Sequence, residues 1–225
     1  MCFASKANAQ SGFAPELAIT NTTPQYVAPS FFKTQSTSPM LGCRMGGIAD
    51  IALSGHLYFQ TGLYFSVRGY TKNILADSAG VVYEHVTEKQ EIHYLELPLF
   101  LMFKTGTQGH GRICFAAGAS ISFVVGGQVT TSDDGRSLNG NYYNNNYKNT
   151  LVPGRDVMRT DAGLNLSLGY EMPKGLFIRA FYYKGFNNLS TYGDESIRLS
   201  SWGIGMGYFV GKGRHDKPDE DLIVK

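Results

Sequence analysis

The sequence predicts an all-β fold: an eight-stranded antiparallel up-and-down transmembrane β-barrel. Three observations lead to this prediction. Apolar residues recur with a period of two in eight segments, the connections between the segments are short on one side and long on the other, and the charged residues of the segments share one face. A period of two is the pattern of a β-strand, in which successive side chains point to opposite sides.

The alternating segments follow one another along most of the chain. The clearest covers residues 113–125, where apolar side chains such as Phe115 and Ile121 alternate with small or polar ones such as Gly118 and Ser122. About ten tilted strand residues cross the apolar band of an outer membrane, and most of the segments meet that length. The predicted strands cover residues 13–20, 41–53, 57–68, 94–104, 113–125, 158–171, 176–183 and 202–210.

The connections between the predicted strands differ in length on the two sides of the barrel. Short turns are expected at residues 54–56, 105–111 and 171–175, and long polar loops at 21–39, 72–91, 127–156 and 187–196. Transmembrane barrels have short periplasmic turns and longer outer loops. An even number of strands then places both ends of the barrel on the periplasmic side.

The polar faces of the predicted strands carry acids and bases in equal number, whereas the apolar faces carry hardly any charge. A narrow lumen has room only for side chains, and charges buried there must pair because an unpaired one is costly. We therefore expect lipid to cover the apolar faces and an ion-pair network to fill the lumen. The predicted network consists of Glu16, Arg44, Asp50, Arg68, Glu96, Lys104, Arg159, Asp161, Glu171 and Arg179.

Composition excludes several other classes of protein. A hydrophobic fraction of 43% excludes a disordered chain, and no apolar run approaches the ~20 residues of a spanning helix. A net charge of +2 without a basic patch gives no support for a nucleic-acid partner. No Cys/His spacing resembles a metal site, and no cofactor motif is present. Cys43 is expected to point out of the barrel and Cys114 into it, which argues against a disulfide between them.

The two ends of the chain are expected to lie outside the barrel domain, which we place at residues 10–210. Residues 1–9 end in the small-x-small pattern Ala7-Asn8-Ala9, which is typical of the end of a secretory signal peptide. Residues 211–225 form a charged tail, which would stay in the periplasm.

Five short segments resemble the outer-membrane β-barrel family of Bacteroidetes-type bacteria that is described as PorT-like or porin-family. They are Tyr94-Leu95-Glu96-Leu97-Pro98-Leu99, residues 59–65, Phe115-Ala116-Ala117-Gly118-Ala119, Asp161-Ala162-Gly163-Leu164 and residues 183–189. The resemblance implies an eight-stranded outer-membrane barrel with periplasmic termini in a Gram-negative cell. It implies no single activity, since the family includes members associated with secretion. The tail after Phe209 departs from barrels that end on an aromatic residue of the last strand.

The best candidate for ligand or partner binding is the loop at residues 139–150. It carries Tyr142, Tyr143 and Tyr147 among several asparagines. Tyr offers a large contact area at low entropic cost and Asn offers adaptable hydrogen bonds, as in antibody paratopes.

The expected function is a structural, adhesive or partner-docking role without catalysis, in a monomer surrounded by outer-membrane lipid. Another envelope or secretion protein would bind through the long loops. If that partner is a secretion protein, the barrel would act as a secretion accessory. One alternative is a small lipid-modifying barrel enzyme, in which His85 or His93 would need a nearby nucleophile such as Ser78 or Ser132. The other is a soluble lipocalin-like barrel, in which the apolar faces would point inward.

Overall fold

The computed structural model describes residues 11–27, 35–78, 82–106, 110–136, 142–191 and 196–210. Within these ranges lie nine strands, all antiparallel to their neighbours. They are β1 (Gly12–Val27), β2 (Gln35–Ala52), β3 (Leu57–Ser78), β4 (Val82–Lys104), β5 (Arg112–Arg136), β6 (Tyr142–Thr150), β7 (Thr160–Glu171), β8 (Leu176–Gly185) and β9 (Ser196–Tyr208). The proposed terminal segments 1–9 and 211–225 lie outside the described residues.

Eight of the described strands close into a barrel, as the sequence predicts. Each pairs with the next in the order β1, β2, β3, β4, β5, β7, β8, β9, and β9 pairs with β1. The ninth strand, β6, is not part of the closed barrel. It pairs with residues 128–136 of β5, beyond the segment 112–123 that pairs with β7.

Most large apolar side chains of the barrel point outward, and ten charged side chains among the described residues point inward. Leu166, Trp202 and Ile204 are 60%, 53% and 54% exposed, whereas Glu16 and Arg179 are each 4% exposed. A soluble lipocalin-like barrel would show the reverse arrangement, so that alternative is wrong. No helix in the described part of the chain is long and apolar enough to span a membrane.

The strands extend far beyond the apolar band at one end of the barrel. We call this the long-strand end, and the opposite end, with the connections 53–56, 105–111 and 172–175, the short-turn end. β3 and β4 stay paired from Leu57↔Phe103 up to Ser78↔Val82. Much of the polar sequence predicted as loops at residues 21–39, 72–91 and 127–156 is therefore strand. The reason is that polar side chains occupy both faces there, so the chain shows no apolar alternation.

A β-bulge changes which residues of β5 face the interior. Tyr94 lies opposite Val124, but the preceding residue, His93, lies opposite Gly126. The extra residue shifts the alternation by one, so that odd residues such as Thr131 face inward above the bulge, whereas even residues do so below it.

Candidate functional site

Nine of the ten residues predicted for the lumen network are buried inside the barrel. They are Glu16, Arg44, Asp50, Arg68, Glu96, Lys104, Asp161, Glu171 and Arg179. Arg159 is exposed, and its predicted place in the lumen is wrong. β7 begins only at Thr160, and the backbone bends before it, so strand alternation does not extend to Arg159. Its side chain instead lies over Gly154, where an added Cβ would be 2.5 Å from Arg159 Nε.

Arg112 belongs to the lumen group although the sequence interpretation missed it. It is 3% exposed, and its Nη2 donates a hydrogen bond to Glu171 Oε1 at 2.7 Å. The residue opens β5 directly after a turn, and the apolar alternation of this segment begins one residue later, at Ile113. Its even number, shared with the inward-facing Ala116, was the available signal. With Arg112 in place of Arg159, the described residues place five bases and five acids inside the barrel.

Around Lys104, near the short-turn end, two carboxylates share one ammonium. Lys104 Nζ donates to Asp50 Oδ2 at 2.5 Å and to Glu171 Oε2 at 2.9 Å. Gln60 Nε2 donates to the other Asp50 oxygen at 2.6 Å. This cluster ties β2, β3, β4 and β7 together across the interior.

The middle of the lumen is occupied by Glu16 and two arginines. Arg179 binds both carboxylate oxygens of Glu16, one of them through Nε at 3.0 Å, and Arg44 Nη2 donates to Oε1 at 3.1 Å. Tyr64 donates its hydroxyl hydrogen to Glu16 Oε2 at 2.7 Å. The Arg44 guanidinium also lies 3.8 Å from the centre of the Phe181 ring. The Glu16 carboxylate therefore holds β1 to β2, β3 and β8.

A third group of charges lies closer to the long-strand end. Arg68 Nη2 donates to Glu96 Oε2, and Arg68 Nη1 lies 3.7 Å from Asp161 Oδ2. That Asp161 oxygen accepts a hydrogen bond of 2.7 Å from Tyr183. Arg44 Nη1, 3.7 Å from Glu96, connects this group to the middle one. The three groups fill the bore of an eight-stranded barrel, which has little room beyond side chains.

Above the charges, apolar side chains form a further seal, which we call the apolar layer. Two segments between the strands turn inward to build it. Leu151 and Leu189 are 1% and 2% exposed, and Met158 N donates to Leu189 O at 3.0 Å. The buried members of the layer are Tyr70, Ile92, Tyr94, Val124, Leu151, Val157, Leu189, Ile197 and Leu199.

Above the apolar layer lies a cleft of about 720 Å³, between the inward faces of β3–β6 and two connecting segments. Its lining comprises Tyr70, Lys72, Glu88, Gln90, Ile92, Val129, Thr131, Tyr147, Asn149, Thr150, Arg155, Asp156, Val157, Leu189, Ser190 and Ile197. Hydrogen bonds from the Arg155 guanidinium, and then from the Val152 N–H, lower the pKa of Asp156. The Asp156 carboxylate accepts hydrogen bonds from both residues and so fixes the 152–156 turn at this side of the cleft.

The three tyrosines of the predicted binding loop fall on β6, which is a strand rather than a loop. Tyr147 lines the cleft and is 49% exposed. Tyr142 is 80% exposed, and the alternation of β6 places it on the opposite face. The Tyr143 side chain lies outside the described residues. The structure therefore brings Tyr147 to the cleft and leaves Tyr142 away from it.

One edge of β6 is unpaired within the described residues. Its partner on one side is β5, from Gln128↔Thr150 to Arg136↔Tyr142, and it ends the order of strands on the other. An open strand edge presents backbone N–H and C=O groups that another chain can pair with.

No arrangement typical of a nucleophilic enzyme surrounds His85 or His93 in the part of the chain that the structure describes. His85 lies opposite Asp134 in the ladder, but the nearby Ser132 Oγ donates to Asn146 Oδ1 at 2.5 Å. His93 packs against Phe65, with 5.7 Å between the ring centres. Among the described residues, no cluster of three His, Cys, Asp or Glu side chains could hold a metal ion.

Comparisons with known proteins agree with the barrel architecture. The sequence model of the family described as "Outer membrane protein beta-barrel domain" matches residues 5–191. No curated protein matches the chain.

Solved structures that match the chain include Ail of Yersinia pestis in complex with the heparin analogue sucrose octasulfate. It is 13% identical, with 88% of this chain and 97% of Ail covered and a TM-score of 0.36. OprG from Pseudomonas aeruginosa is 10% identical, with 89% of this chain and 96% of OprG covered and a TM-score of 0.42. Likenesses this low say nothing about activity. The family match, in contrast, covers most of the chain, which belongs to the outer-membrane protein β-barrel domain family and resides in the outer membrane.

Proposed function

We propose that this protein is a non-enzymatic, monomeric docking protein of the cell surface, and that its β6 edge binds an extended segment of a partner protein. The observation that carries the proposal is the open edge of β6, at the end of a sheet that extends from the barrel. An extended peptide that adds to such an edge gains main-chain hydrogen bonds, and its side chains provide specificity.

The form of β6 suits this role. The strand runs over nine residues, Tyr142–Thr150, contains no proline, and its described side chains are all exposed. A second open edge within the described residues, 35–39 of β2, pairs with β3 over five positions and ends in Pro39, which cannot donate a hydrogen bond. Residues 23–27 of β1 likewise have no described partner on β2, and they include Pro24. The rest of the barrel is closed, so β6 is the better docking strand.

Other features of the chain support a monomer without catalysis and a place among the PorT-like barrels. Outer-membrane lipid would cover the exposed apolar side chains, which surround the whole barrel and leave a monomer fully accommodated. The surroundings of His85 and His93, which show no nucleophilic side chain bound to either ring, support a role without catalysis. A partner that is itself exported would make the protein a secretion accessory. The segments 94–99 and 183–189 support placing it with the PorT-like barrels of Bacteroidetes-type bacteria.

Site-specific photocrosslinking in intact cells tests the proposal. A crosslinking side chain at Asn144 or Asn146 should capture the same protein, whereas one at Thr23, exposed on β1, should not. Addition of the captured protein to the purified barrel should slow hydrogen exchange of the β6 amides, because edge pairing protects them. Adducts that form equally at Thr23, or β6 amides that exchange at an unchanged rate, would refute docking on this edge.

A further inference from the structure

The cleft at the long-strand end has the properties of a ligand site, and we propose that it binds a short, uncharged oligosaccharide. The proposal concerns the inward face of the sheet and does not depend on the β6 edge. The volume of the cleft, about 720 Å³, lies within the ~300–1,000 Å³ of typical small-ligand pockets.

The cleft ends blindly inside the protein. Its floor consists of buried members of the apolar layer, among them Ile92, Val157 and Leu189. Below the layer, Arg68 and its carboxylate partners fill the lumen. A molecule that enters from outside the cell therefore stops at the floor, so the cleft is a pocket and not the mouth of a channel.

The charges on the walls compensate one another. Lys72 lies opposite Glu88 in the β3–β4 ladder, and Arg155 Nε donates to Asp156 at 2.9 Å. Among the described residues, two bases and two acids line the cleft, and their formal charges cancel. An ionic ligand would gain no net attraction, and a neutral ligand avoids the cost of removing a charge from water.

The other polar groups of the walls suit a ligand with many hydroxyl groups. The Gln90 and Asn149 amides each offer donors and acceptors, and the Thr131 hydroxyl can do both. They come from three neighbouring strands, β4, β5 and β6, so they form one continuous polar wall of the cleft. A sugar ring, whose hydroxyls project around its rim, can satisfy such a set from one position.

Aromatic and apolar surface completes the match. Tyr147 is half-exposed at the wall, with its ring available to a ligand, and the floor below is apolar. The faces of a sugar ring carry C–H groups that pack on aromatic rings, while its rim stays polar. A fully polar ion or an aliphatic chain would leave one of these two kinds of surface unmatched.

A glycan array, followed by titration of the best hit, tests the proposal with the purified full-length barrel in lipid nanodiscs. The array holds neutral, sialylated and sulfated oligosaccharides together with short peptides. A neutral oligosaccharide should bind best, and Gln90→Ala and Tyr147→Ala should each weaken it about tenfold. The matched control, Asn146→Ala on the opposite face of β6, should leave its Kd within about twofold.

The competing outcomes each overturn the proposal. They are the absence of any bound neutral oligosaccharide, a preference for charged glycans or peptides, or an equal loss of affinity in the Asn146→Ala control. Photocrosslinking from Asn144 and Asn146 tests the β6 edge separately. Failure of glycan binding would leave the crosslinking result unaffected, and failure of crosslinking would leave the glycan result unaffected.

Discussion

Arg179 on β8 binds both carboxylate oxygens of Glu16 on β1, although β9 lies between the two strands. The residue of β9 that pairs with Arg179 is Gly205, and a Cβ there would lie 2.9 Å from Glu16 Oε1. The missing side chain leaves the space in which the guanidinium and the carboxylate meet. The pair thus joins strands that have no backbone contact with each other.

Removal of Arg179 should destabilise the barrel strongly. Arg179→Met leaves the Glu16 carboxylate buried with Arg44 as its remaining guanidinium, and loss of a partner in a buried ion pair costs about 3 kcal/mol or more. Urea unfolding in lipid vesicles measures this change in the free energy of unfolding. Arg198→Met, at an exposed position of β9, is the control and should stay within about 0.5 kcal/mol. Equal losses in the two variants would mean that the interior pair adds no special stability.

A charge introduced on the outward face should reveal where the lipid lies. Ile204→Arg places a cation among exposed apolar side chains in the middle of β9, where it should cost about 2–4 kcal/mol. Thr23→Arg, a substitution near the long-strand end, should cost only about 0–1 kcal/mol. Unfolding in vesicles gives both values, and an Ile204→Arg variant as stable as the wild type would contradict a lipid-facing position.

The sequence contained enough information for the closed barrel but not for the structure above it. Between lipid and lumen, a residue such as Leu166 must be apolar and its neighbour Asn165 must be polar, so alternation is strict. Above the lipid no such contrast is required, and β6, with its run of asparagines, could not be recognised as a strand. The bulge at Val125 also reverses the facing of the residues after it, and sequence parity carries no sign of such a shift.

Glycine at position 163 should be required for packing of the lumen. A Cβ there would lie 2.5 Å from Tyr183 Cε2 and 2.3 Å from the Lys184 carbonyl oxygen. Gly163→Ala should therefore displace Tyr183 from Asp161 and cost about 1–3 kcal/mol through overpacking. Gly126→Ala is a matched control, because a Cβ at that glycine meets no atom within 4 Å. Thermal unfolding of the two variants should separate them, and similar midpoints would show that the space around Gly163 is not tight.

The barrel should not conduct ions even when one layer of its interior is removed. Arg68→Ala takes away the guanidinium between Glu96 and Asp161, but the apolar layer above remains closed. Recordings in planar bilayers should show no conductance steps for the wild type or for this variant, with a porin of 16 strands as the positive reference. Steps that appear on the Arg68→Ala substitution would show that the charges, and not the apolar layer, keep the lumen shut.

The ion-pair network was predictable as a group, and its two errors, the inclusion of Arg159 and the omission of Arg112, both lie where a strand begins. Strand parity identified partners from distant parts of the chain, such as Arg68 and Asp161, because inward charges have few places to lie. Arg159 failed the same rule because β7 begins one residue after it. Which acid meets which base depends on strand tilt and register, and neither is encoded in the spacing along one strand.

The pairing of β1 with β9, from Glu16↔Gly207 to Val27↔Ser196, has a consequence for how the protein enters its membrane. Until the last strand arrives, both borders of the growing sheet would expose amide and carbonyl groups that hydrocarbon cannot solvate, each at a cost of several kcal/mol. A partly built wall is therefore not a stable resident of the bilayer. Membrane insertion and closure of the barrel must therefore occur together. The contact between Glu16 and Arg179 can form only at that step.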